Sequence, residues 1–96
     1  MDNRVHKEEP MHEQMSAIFR RLNNASASIR AQVDQYEETG TCSPTRQAKF
    51  REIYKDALDL WVWADKMATY KPLPYRAWAR QAVEIVGLLE GAGLHE

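Results

Sequence analysis

Only one cysteine, Cys42, occurs in the 96-residue sequence. A single thiol cannot close an internal disulfide, so a small core must stand alone or be helped by a partner. That favours a reducing, intracellular setting, and the expected compartment is the cytoplasm. Long apolar runs are missing too. The longest, Leu60 to Ala64, is far too short to span a bilayer. The opening stretch MDNRVHKEEP lacks the apolar segment of a signal peptide. Neither sign of charge dominates. A net charge of −1 removes the bulk electrostatic case for nucleic acid or an anionic membrane. No P-loop, dinucleotide-binding, zincin or paired-cysteine pattern is present. No segment alternates with the period of two that a strand requires.

What remains is ordinary globular material, 44% hydrophobic and 28% charged, of a length that suits one small domain. Residues 1–9 are polar and of mixed charge, and are expected to be flexible. Pro10 suits a helix start. Met11, Met15, Ile18, Leu22, Ala25, Ile29, Val33 and Tyr36 then follow at spacings of mostly four and three, one clean stripe with Phe19 on its flank. The poor helix formers Asn23 to Ser28 interrupt the composition but not the phase, so a continuous helix over about 11–39 is expected. Gly40 supplies a left-handed stop. Ser43 and Pro44 read as N-cap and first helical residue of a second helix, about 44–70, with Phe50, Ile53, Ala57, Leu60, Ala64 and Met67 on its seam. Pro72 and Pro74 end it. A third helix, about 74–90, carries Tyr75, Trp78, Ala82, Ile85, Val86 and Leu89 on its apolar face and stops at Gly91 and Gly93. Short connections make neighbours antiparallel. The expected fold is all-α, a three-helix antiparallel bundle with helix 2 central.

The stretch LDLWVWAD, Leu58 to Asp65, holds more apolar residues than one buried stripe needs. Two neighbouring helices account for Leu60 and Trp61. Trp63 lies about 90° off the seam on the other side, and Val62 points nearly backwards. Either Trp63 lies across the edge of the helix 1 interface and Val62 is a lone exposed residue, or Leu58, Val62 and Trp63 form a patch for another chain. Helix lengths raise a second possibility. Helices 1 and 2 run to about 40 Å and helix 3 to about 25 Å, which leaves a two-helix tip. Val33, Tyr36 and Phe50 at that tip are expected to need cover, from a second copy or a docked partner. Arg46, a cation in a first helical turn, opposes the helix dipole and would suit an acidic partner.

Catalytic chemistry finds little support. Glu8/His12 and Glu9/Glu13 have helical spacing, but a solvated charged segment explains them, and no metal or cofactor is expected. Cys42 would need His12 or His95 as a base close by to act as a nucleophile. The expected function is therefore non-catalytic: a small protein-binding module that regulates or blocks a larger partner protein, of the kind phages and mobile elements direct at host machinery. The alternative is a nucleic-acid-binding regulator, with helix 2, the turn and helix 3 presenting Arg76, Arg80 and Gln81 in the manner of a helix-turn-helix reader.

Overall fold

The computed structural model describes the backbone of residues 3–96 and the side chains of residues 11–96. His6, Glu8 and Glu9 therefore lie outside the described side chains. Three helices follow one another: α1, Asn3–Thr39; α2, Pro44–Ala68; and α3, Pro72–Gly91. No strand occurs among the described residues. α1 begins well ahead of the expected start at Pro10 and runs unbroken through Asn23 to Ser28, as the constant phase of its stripe required. α2 stops at Ala68, two residues earlier than expected. Lys71, held next to Pro72, is extended (φ −143°, ψ 93°), so the chain must leave the helix before it. Leu73 is also extended (φ −109°, ψ 133°), and the regular part of α3 starts at Pro74.

The helix ends carry their chemistry. Gly40 takes φ +69°, and its N–H donates to the Tyr36 carbonyl at 2.7 Å, closing α1 in a left-handed cap. The Ser43 hydroxyl accepts from the Arg46 N–H at 3.2 Å, and Pro44 spends no orphan donor. At the end of α3, Gly93 takes φ +71°. Its N–H donates to Glu90, and the Leu94 N–H donates to the Leu89 carbonyl at 2.9 Å. This is a Schellman arrangement, and its usual apolar contact is present: Leu89 and Leu94 are both buried.

α1 and α3 both pack against α2, and α1 packs against α3 as well. Tyr54 meets Glu90 and Trp63 meets Tyr75, so α2 and α3 run in opposite directions. Arg21 meets Asp56 and His12 meets Trp63, so α1 and α2 do as well. The core joins Ile18, Leu22, Ile29 and Val33 of α1 to Phe50, Ala57, Leu60 and Ala64 of α2 and to Ala82, Ile85, Val86 and Leu89 of α3. α2 and α3 approach most closely. Buried alanines on both, Ala57, Ala64, Ala79 and Ala82, permit that approach. α1 stands further off. Between α1 and α2 a groove of about 400 Å³ remains, floored by Ile18, Leu22, Ala25, Ile29 and Ile53. Ala25 and Ile53, expected in the core, are only half-buried for this reason.

The expected bare tip is covered. Beyond α3 the chain folds back: Leu94 is buried, the His95 ring packs on Tyr54 at 5.3 Å, and Arg51 donates to the Glu96 carbonyl at 3.3 Å. Val33 and Phe50 are consequently 0% and 1% exposed within the single chain. They offer nothing to a second copy without opening the bundle, and only Tyr36 of the three tip residues keeps partial exposure. The expectation erred because it stopped counting at the end of helix 3.

Leu60 is fully buried in the core to which all three helices contribute. Leu60→Ala should cost about 2–5 kcal/mol through lost transfer energy and the cavity left behind. A chemical denaturation midpoint equal to that of the wild type would contradict this packing.

The Tyr54 hydroxyl donates to the Glu90 carboxylate at 2.6 Å. That hydrogen bond, with desolvation and the charge of Glu90, raises the Tyr54 pKa above the ordinary tyrosine value. The fold favours the neutral phenol. The stability Tyr54 supplies is full below the unfolded-state value of 10.0 and is lost as pH rises through the raised folded value. A spectrophotometric titration should show a tyrosine phase above the ordinary range, and Tyr54→Phe should remove it.

Candidate functional site

The adjacent residues Trp61, Val62 and Trp63 point three ways. Helical geometry separates successive side chains by about 100°. Trp63 falls on the α1 side of α2 and enters a cluster of rings. Its ring centroid lies 5.4 Å from Tyr75, 5.8 Å from His12 and 6.3 Å from Trp78. Phe19 stacks on Trp78 at 5.0 Å, with only 12° between the planes. Trp63 and Tyr75 meet at 90°, the edge-to-face arrangement that sets a positive ring edge on a negative face. These rings, drawn from all three helices, hold the first half of α1 onto the α2–α3 pair. Trp63 is thus half-buried, as Trp61 is, with part of its ring packed into this cluster. Flank aromatics were the available signal: Phe19 sits beside the stripe of α1, and Trp78 lies on the apolar face of α3.

Val62 points away from the core and is 64% exposed. Trp61, which two neighbours were expected to bury, is only half-buried. It lines a shallow hollow with Val62, Asp65, Lys66 and Thr69. Register explains its position. Tyr54 faces Glu90, and one heptad along each antiparallel helix sets Trp61 opposite Val83, another exposed apolar residue. α1 covers the other side of the α2–α3 pair, so among the described residues nothing lies over this edge. Leu58 is half-buried on the same flank. The α2–α3 turn holds two further exposed apolar residues, Tyr70, 82% exposed, and Leu73, 74% exposed. Sequence reasoning missed both, because turn residues have no periodic pattern to mark them as out of place.

The remaining candidates are scattered. Arg46 is exposed at the opposite end of α2, beside the α1–α2 loop. Cys42 is half-buried in that loop, and its carbonyl accepts from the Gln47 side chain at 3.1 Å. His12 lies at the aromatic cluster near the other end of the bundle, where it cannot serve Cys42 as a base. Arg76 and Arg80 are exposed on α3, but Gln81 beside them is half-buried. Among the described residues, no three His, Cys, Asp or Glu side chains gather into a metal-binding group. None of the described helices is long and apolar enough to cross a membrane.

Comparison with protein-family models, with curated proteins and with solved structures gives no match for this chain. Any reading of function therefore rests on the geometry above.

Trp63→Ala should destabilise the isolated chain by about 1–2 kcal/mol, less than full burial of an aromatic would supply, because its ring is half-buried in the cluster. Val62→Ala should move stability by no more than about 0.5 kcal/mol, as for an exposed residue without partners. Equal thermal melts for the two variants would contradict the separation drawn here.

Proposed function

We propose that this chain is a small non-catalytic protein-binding module that regulates or blocks a larger protein. One observation carries the reading. Val62 on the outward side of α2 and Tyr70 and Leu73 in the adjoining turn are exposed, while the rest of the described chain buries most of its large apolar side chains. Exposed apolar surface costs solubility, and a contiguous patch with a polar rim is characteristic of an interface. Leu58 and Trp61 would supply the half-buried base of that patch, and Asp65 and Lys66 its polar rim. Trp61, already partly desolvated, is placed to act as the aromatic anchor at its centre.

A photo-reactive amino acid placed at position 62 or 73 should cross-link one stoichiometric protein species in the native cell. The same probe at exposed Arg30, on the far half of α1, should not. Val62→Asp should abolish the cross-link from position 73 while the purified variant melts like the wild type. Equal labelling from positions 62, 73 and 30 would remove the reading.

A further inference from the structure

The stretch from Lys66 to Val83 spans the end of α2, the turn and the first half of α3, and its charge has one sign only. Four of the chain's 13 basic residues lie there, Lys66, Lys71, Arg76 and Arg80, and none of its 14 acidic ones. All four are exposed. The ion pairs among the described residues are Arg21–Asp56, Lys49–Glu52 and His95–Glu96, none of which uses any of the four. Lys66, in the last turn of α2, suits the dipole of that helix. Arg76 does not. It stands in the first turn of α3, where a cation opposes the dipole and no acidic residue offsets it. The same stretch also holds exposed apolar residues. Of the large apolar side chains exposed among the described residues, Tyr70, Leu73 and Val83 lie within it, and Val62 stands one helical turn before it. Tyr70, Lys71 and Leu73 are near neighbours in the chain, so their backbones lie within about 11 Å of one another. Along α3, Arg76, Arg80 and Val83 fall within about 60° of one another.

We propose that the protein segment bound by this chain is acidic, with aliphatic side chains among its carboxylates, and that it lies on the α2–α3 turn and the first half of α3. This rests on the reading of the chain as protein-binding and names the chemistry of its partner. Carboxylates of the segment pair with Lys71, Arg76 and Arg80, and its apolar side chains meet Tyr70, Leu73 and Val83. Charge complementarity selects the segment and steers its approach, and the aromatic and aliphatic contacts hold it. Two other anionic surfaces fit less well. A lipid bilayer approaching this end of the bundle meets α1 first. His12 stands beside Trp63; from there α1 reaches back to Asn3 over about 14 Å, whereas α2 runs on to Ala68 over only about 8 Å. A nucleic-acid duplex presents a continuous line of phosphates. Here an acid closes the cationic stretch at each end, Asp65 and Glu84.

The probe is a phage-displayed library of random peptides, panned on the immobilised full chain. The enriched peptides are then titrated by fluorescence anisotropy. They should be rich in aspartate, glutamate and aliphatic residues, and their affinity should fall as ionic strength rises. The variant R76E/R80E should weaken binding by about tenfold or more, since two attractive contacts become repulsive. The variant R20E/R30E changes the net charge equally, at exposed positions of α1, and should leave binding nearly unchanged. Tyr70→Ser should weaken binding while keeping its salt dependence. All these positions are exposed, and circular dichroism melts check that folding is intact.

Enriched peptides that are basic or uncharged overturn the proposal. So does an affinity that R76E/R80E leaves unchanged, or that R20E/R30E reduces as much. If no peptide is enriched while phosphatidylserine vesicles or duplex DNA bind and R76E/R80E abolishes that binding, the surface serves another class of anion and the proposal fails. Should the cross-linker at position 62 or 73 capture one protein in the cell while panning selects no acidic peptide, the acidic segment fails and the protein-binding reading stands. Should neither appear, both fail.

Discussion

Everything in this fold depends on α2 being covered along two lines at once. Phe50, Ala57, Leu60 and Ala64 form a narrow inward seam, and no single neighbour can bury it. α3 takes one side at close range through alanine contacts, and α1 takes the other at a greater distance. With one cysteine and no metal-binding group among the described residues, this apolar burial has no internal disulfide to support it and no metal site among those residues. The marginal stability of small cores makes each large side chain count.

The two ends of the bundle solve the problem of cover differently. Near the α2–α3 turn, rings do it: His12, Trp63, Tyr75 and Trp78 come within about van der Waals reach of one another and fill the space left by the more distant α1. At the α1–α2 loop, where α3 runs out, the chain after Gly93 bends back and places Leu94 and His95 over the seam. The middle of α1 contributes small residues instead, and a groove persists there beside Ala25 and Ile53. Charges close part of its rim through Arg21–Asp56 and Lys49–Glu52, pairs too exposed to supply much stability.

Satisfying α2 on two sides leaves its third side free, and that is where structure leads toward function. A helix that only needed to fold would carry polar residues there. This one carries the exposed Val62 among charged neighbours, and the adjoining turn adds the exposed Tyr70 and Leu73. The proposed partner contacts therefore arise from the residues that the intramolecular packing cannot use.

Much of the fold was legible in the sequence because helix periodicity and end signals are local properties. The stripe of α1 kept its phase through Asn23 to Ser28, and the helix is continuous there. Gly40, Ser43 with Pro44, and Gly93 marked boundaries through backbone conformation and capping chemistry that act within a few residues. The helix wheel also separated Val62 from the core. It could not show what Trp61 and Trp63 meet. Both sit beside the seam and are half-buried, and what each one touches depends on the residues that α1 and α3 bring alongside. Nor could it show that the C-terminal segment returns to α2, where His95 packs on Tyr54, since that contact joins segments distant in the chain. Periodicity fixes where a side chain points on its own helix; only the packed neighbours decide whether anything is there to meet it.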